Sequence, residues 1–138
     1  MQYLLSVVLL SLFTCLGCSP AGDYHAVKGR VIFRDRQPVK GAMIEFVATD
    51  GTTARAKTDQ HGKFELATGN IKGVRAGYYR VAIIHMIVID GAAKHSQAHH
   101  ARLVVHPKYA KCETSGLTRD VQPGTNDFTI EVETAAQR

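Results

Sequence analysis

The sequence predicts an all-β domain, an antiparallel β-sandwich of about seven strands. Apolar residues recur with a period of two in short runs, as in strands buried on one face. The runs are separated by Gly, Pro, Asp and Asn clusters, which read as turns. No segment combines an amphipathic helical period with caps at both ends. The chain has 138 residues, 45% of them apolar and 21% charged, which suits one domain with its own core and argues against disorder.

Residues 3 to 16, from Tyr3 to Leu16, carry no charge and read as the apolar core of a secretory leader. The run stops at Gly17-Cys18-Ser19-Pro20, short of the roughly 20 apolar residues a spanning helix needs. Cys15-Leu16-Gly17-Cys18 resembles a bacterial lipobox, in which the cysteine after a small residue is linked to diacylglycerol and becomes the new N-terminus. The resemblance implies a lipoprotein signal peptide over 1–17, lipidation at Cys18, and a membrane-anchored tether over 18–24. It departs from the pattern in having Cys15 where Leu is usual and no Lys or Arg before Leu4. Ser19 after Cys18 resembles lipoproteins forwarded to the outer membrane. Cleavage would discard Cys15 and acylation would consume Cys18, leaving Cys112 with no internal partner.

The sandwich is expected over 25–134, with 135–138 a disordered tail. In the first strand Val27, Gly29, Val31 and Phe33 share one face, and Lys28, Arg30 and Arg34 the other. Asp35 to Pro38 is a turn, followed by a strand with Ala42, Ile44 and Phe46 inward. Asp50-Gly51 marks a hairpin. Ala54 to Thr58 is a strand, Asp59 to Gly62 a turn, and Phe64 and Leu66 point inward from the next strand. Tyr78 to Ile89 is the longest run, with Tyr79, Val81 and Ile83 inward and a continuous apolar end that suggests burial on both faces. Short strands are expected at Leu103 to Val105 and Leu117 to Val121. After Pro123-Gly124, Phe128, Ile130 and Val132 alternate with Thr129, Glu131 and Glu133.

Val27-Lys28-Gly29-Arg30-Val31, Gln37-Pro38-Val39-Lys40-Gly41-Ala42, Thr58-Asp59-Gln60-His61-Gly62-Lys63-Phe64 and Ala76-Gly77-Tyr78-Tyr79-Arg80-Val81 resemble, in that order, transthyretin-like (prealbumin-like), carboxypeptidase regulatory-like domains close to the Cna B-type modules. His106-Pro107-Lys108-Tyr109, Thr114-Ser115-Gly116-Leu117 and Asn126-Asp127-Phe128 resemble the ending of small bacterial lipoproteins built on this domain. The resemblance implies a cell-envelope protein in a family whose roles are adhesion, scaffolding or support of a neighbouring domain. The chain carries no nucleophile elbow, phosphate loop or zinc-protease helix, and it is expected to be non-catalytic and a monomer. Transthyretin-like folds also include hydroxyisourate hydrolases, but those end in Tyr-Arg-Gly-Ser where this chain has Ala135-Ala136-Gln137-Arg138. Tyr79 and Tyr109 superficially echo the ligands of the related intradiol dioxygenases, without a His-x-His pair; strand packing explains Tyr78 and Tyr79 more simply.

Two constellations carry candidate chemistry. His95, His99 and His100 form a histidine-rich loop in which His95 and His99 would share a helical face, a spacing able to hold zinc or copper, with His85 or His106 as a third ligand. Solvated loop histidines are the plainer account. The second is a basic surface of Lys28, Arg30, Arg34, Arg36 and Lys40, within a chain of 17 Lys+Arg against 12 Asp+Glu. It would suit an acidic lipid, glycan or wall polymer, although charged outer faces also keep sheet edges apart. An export signal and the lack of a groove-reading motif exclude nucleic acid. Asp59 reads as a turn residue, and Glu131 with Glu133 as a solvated strand face. No cofactor is expected beyond the N-terminal diacylglycerol. The readings are therefore an envelope module presenting loops to a protein or polysaccharide partner, a periplasmic metal-binding protein using residues 95–100, and a transthyretin-like hydrolase.

Overall fold

The computed structural model describes residues 23–85 and 104–135. Its strands are β1 (Tyr24–His25), β2 (Val27–Phe33), β3 (Met43–Ala48), β4 (Thr53–Lys57), β5 (Lys63–Glu65), β6 (Ala67–Thr68), β7 (Ile71–Lys72), β8 (Val74–Arg75), β9 (Gly77–Ile84), β10 (Leu117–Val121) and β11 (Asn126–Val132). A 3-10 turn (Pro107–Ala110) and a one-turn helix α1 (Cys112–Ser115) precede β10 and pack against β9. Six strands form one sheet in the order β10-β9-β3-β4-β6-β7, three form the facing sheet β11-β2-β5, and β1 pairs with β8. This is the sandwich the alternation predicts. The two-residue strands β1, β6, β7 and β8 are additional, being too short to show a period.

Among the described residues the strand pairings are antiparallel except that β11 runs parallel to β2, in register from Asn126↔Val27 to Val132↔Phe33. Period-two alternation is the same in parallel and antiparallel strands, so the sequence does not reveal this exception.

Inward positions follow the predicted faces. Val27, Val31, Ile44, Phe46, Val81, Ile83, Ile130 and Val132 are all within 1% of full burial. Phe46 of β3 is the hub, its ring centroid 6.0 Å from Tyr79 in its own sheet and 6.5 and 6.2 Å from Phe64 and Phe128 in the facing sheet. Burying a side chain of this size stabilises the fold by about 1.5–3 kcal/mol. Ala82, on the opposite face of β9 from Val81, is also buried, which bears out burial on both faces over the part of that run lying in β9. Tyr78 departs from the packing expectation: it is 56% exposed, opposite Asp120 of β10.

The turns form where expected. Asp50 Oδ1 accepts from Thr52 N at 2.8 Å and Gly51 takes φ 85°, closing the β3–β4 hairpin. Between β4 and β5, Asp59 Oδ1 accepts from the backbone amides of His61 and Lys63, each at 2.8 Å. These bonds favour the ionised carboxylate and hold Asp59 below the usual carboxylate range, the Lys63 amide contributing most. Of the edge strand expected at Leu103 to Val105, Leu103 lies outside the described residues, and Val105 makes a bridge to Thr134.

Two positions carry disproportionate weight. At Gly29, in mid-β2, an added Cβ would lie 2.0 Å from the Phe128 carbonyl oxygen and 2.9 Å from the Phe64 ring, so the bare backbone lets both neighbours close in. Thr58 is buried, and its Oγ1 accepts from Ala42 N at 2.8 Å. Gly29→Ala is expected to cost on the order of 3 kcal/mol through forced separation of β2 from β11, read as a lowered midpoint in urea unfolding. Thr58→Val keeps the shape but strands the Ala42 amide, and is expected to cost about 2 kcal/mol in the same measurement.

Candidate functional site: a cationic face on the small sheet

The outer face of β11-β2-β5 is built from the residues between the core positions. Register places Lys28 opposite Glu65 on β5 and Asp127 on β11, and Arg30 opposite Lys63 on β5 and Thr129 on β11. The first row alternates in sign, its cation flanked by a carboxylate on each side. In the second, two cations face each other across the strands, an arrangement that is destabilising without a counter-charge.

A shallow depression of about 1020 Å³ runs over this face, with Lys28, Arg30, Arg36, Lys57, Asp59 and Lys63 among its walls. A smaller one of about 360 Å³ adjoins it, lined by Arg30, Ile32, Arg36, Pro38, His61 and Lys63. The ion pairs among the described residues join Arg34 to Glu133, Arg55 to Glu45, Arg80 to Glu113 and Lys108 to Glu133. Among the described residues, then, no carboxylate neutralises Arg30, Arg36 or Lys63 through an ion pair.

Of the five cations singled out in the sequence, the structure brings Lys28, Arg30 and Arg36 to this face. Arg34 is engaged by Glu133, which also accepts from Lys108 Nζ at 2.8 Å. Lys40 is exposed in the following loop and lines neither depression. Lys57, His61 and Lys63 complete the face; the turn at Asp59 to Gly62 was legible, but the β5–β2 register that aligns Lys63 with Arg30 was not.

Glu133 is a second departure. It is not simply a solvated neighbour of Glu131, because Lys108, and to a lesser degree Arg34, hold its carboxyl below the usual range. Its bond to Glu133 correspondingly raises Lys108.

Cys18 and the histidines His95, His99 and His100 lie outside the described residues, as do 136–138. Of the further candidate ligands, His106 caps the 3-10 turn, its Nδ1 accepting from Lys108 N at 3.2 Å, and His85 follows β9. Among the described residues no group of three His, Cys, Asp or Glu is placed to hold a metal ion, and no helix is long and apolar enough to cross a membrane. Tyr79 and Tyr109 belong to the hydrophobic cluster, with Tyr79 Oη donating to the Arg75 carbonyl at 3.0 Å. Cys112 is half-buried at the start of α1; burial, reinforced by Glu113, pushes its thiol up and makes it less nucleophilic.

A depressed carboxyl contributes stability above its unfolded titration range, and that contribution disappears as the pH falls through the folded value. The raised Lys108 contributes below its unfolded range and loses effect only in strong alkali. Glu133→Gln is therefore expected to lower the melting temperature near neutrality, with the gap to wild type closing as the pH falls below the ordinary carboxylate range. A gap that persists unchanged in acid, followed by circular dichroism, would contradict the assignment to Glu133.

No protein-family model matches the chain, and no curated protein matches it. Among solved structures it is similar to the Bacillus anthracis TIE protein, with a TM-score of 0.51 and 15% identity over 81% of this chain. The match spans 17% of that longer protein. At this identity the likeness is one of fold. Together with the sheet topology, it supports a β-sandwich.

Proposed function

We propose that the protein is a non-catalytic, lipid-anchored module of the bacterial cell envelope whose sandwich presents a surface to a protein or polysaccharide partner. The observation that carries this reading is the open depression on the outer face of β11-β2-β5, where Lys28, Arg30, Arg36, Lys57 and Lys63 outnumber Asp59, Glu65 and Asp127 and offer a net positive charge to solvent over a broad, shallow area. The fold adds support, since it recurs as a small part of a longer chain. The two tyrosines that echo iron ligands are occupied in the core.

The anchor rests on the lipobox-like Cys15-Leu16-Gly17-Cys18. Cys18 acylation would hold the domain at the membrane by a tether of a few residues, and more than one acyl chain makes such anchoring stable. Ser19 favours the outer membrane. The test is the intact mass of protein from the membrane fraction beside a Cys18→Ala variant. We expect a chain starting at residue 18 with added acyl mass, and a variant that is unacylated and leaves the membrane. An unmodified soluble wild type would overturn the anchor and turn the reading toward a secreted binding protein.

A further inference from the structure

We propose that the smaller depression, formed by Arg30, Arg36, Lys63 and His61, is a binding site for the phosphate groups of an anionic envelope polymer. The proposal rests on the envelope reading only in naming where that polymer is met. Three permanent cations and one histidine line the depression together with Ile32 and Pro38, and among the described residues no carboxylate lines it. Asp35, adjacent to Arg36, accepts from Gln37 N at 3.1 Å through Oδ1, and Asp59 spends Oδ1 on the amides of His61 and Lys63, so it fixes these residues in place.

The site is rigid because two turns are locked together beneath it. Ile32 bridges to Pro38, Val31 N donates to the Gly62 carbonyl at 2.8 Å, and Val39 N donates to the Val31 carbonyl at 3.0 Å. Gly62, at φ 73°, lies so close that an added Cβ would fall 2.5 Å from the Val31 oxygen and 3.1 Å from Pro38 Cβ. The turn carrying Arg36 and the turn carrying His61 are thus clasped against the same stretch of β2. A ligand would meet cations whose backbones need no rearrangement, which lowers the cost of binding.

Arg36 itself is an independent pointer. Among the described residues it is the one non-glycine with positive φ, at 70°. A left-handed conformation costs an arginine about 1 kcal/mol relative to glycine, yet it is arginine that stands at the rim beside Arg30 and Lys63. An observed backbone outlier at a charged rim is a reason to look for function there.

The chemistry favours phosphate on a polymer over an anionic lipid surface. Two guanidinium forks and an ammonium around one depression match an oxyanion with several acceptor oxygens better than a two-oxygen carboxylate, which one arginine satisfies. Glu65, Asp127 and Glu131 share the same outer face, so a continuous negative surface would be repelled by its neighbours, whereas a localised phosphate in the depression would not.

The experiment is calorimetric titration of the full-length protein, held in non-ionic detergent, with short-chain polyphosphate, inorganic phosphate, polygalacturonate and phosphatidylglycerol vesicles as separate probes. Polyphosphate is expected to bind most tightly and to weaken with salt. Arg30→Gln, Arg36→Gly and Lys63→Gln are each expected to lower its affinity about tenfold, with Lys40→Gln, at an exposed cation that lines neither depression, unchanged. Arg36→Gly relieves the strained φ, so a raised melting temperature alongside lost binding separates recognition from folding. Equal affinity of these variants and wild type would overturn the site. Equal binding of polygalacturonate would overturn its phosphate chemistry. Vesicle binding without polyphosphate binding, or inorganic phosphate binding as tightly as the polymer, would overturn the polymer as ligand. Acylation at Cys18 is read by mass independently, so the anchor and the site fail separately.

Discussion

Pairing of β2 with β11, in parallel and over seven registered positions, is the constraint on which the rest of the domain depends. It joins segments 99 residues apart, as the Arg34–Glu133 contact marks. Closing a flexible loop of that length costs about 4 kcal/mol beyond a constant, and the return comes from both faces of the strand pair. Inward, Val27, Val31, Ile130 and Val132 meet the Phe46 cluster. Outward, the same register lines up the charged rows. Gly29 is where this pairing is most exacting, because the Phe128 carbonyl and the Phe64 ring occupy the space a side chain would need. A residue without a side chain thus sets the spacing of the small sheet.

A sandwich has edges, and this one covers part of them with side chains. β10 and β11 are the end strands of the two sheets. Arg119 on β10 donates from Nη2 to the Thr129 carbonyl on β11 at 3.2 Å, and its guanidinium lies 5.7 Å from the centre of the Phe128 ring. One side chain thereby occupies a backbone acceptor on an open edge and links the sheets, a cationic guard against strand addition. Near the C-terminal end of β11, Ala135 N donates to Val104 and His106 N to Glu133, extending this cover. Positive charge therefore serves two purposes here. Arg119, Arg34 and Lys108 are committed to internal partners, whereas among the described residues no ion pair engages Arg30, Arg36 or Lys63.

The fold was legible because alternation and turn chemistry are local. The inward faces of β2, β3, β9 and β11 and the turns at Asp50, Asp59 and Pro123 follow from residue type and spacing alone. Parallel pairing of β2 and β11 was not legible, since either strand direction yields the same period of two. Nor were the four two-residue strands, which arise from tertiary pairing rather than propensity. The basic surface was visible as a run of cations near the first strand, but a run in sequence is not a patch in space. Folding removed Arg34 to Glu133, left Lys40 aside, and brought in Lys57, His61 and Lys63 from the next hairpin.

That exchange of members gives the face a charge pattern unlike that of an ordinary solvated sheet. Charges scattered to keep a sheet soluble would alternate in sign across strands, since opposite pairs stabilise and like pairs cost. The Glu65–Lys28–Asp127 row obeys this rule, and the adjacent Lys63–Arg30–Thr129 row breaks it within the same three strands. Arg36 compounds the departure by accepting a left-handed backbone next to that row. Two local costs, one electrostatic and one conformational, coincide at one depression. The β2–β11 and β2–β5 pairings can carry them because the core beneath holds the strands regardless, and a bound anion would relieve the electrostatic cost directly.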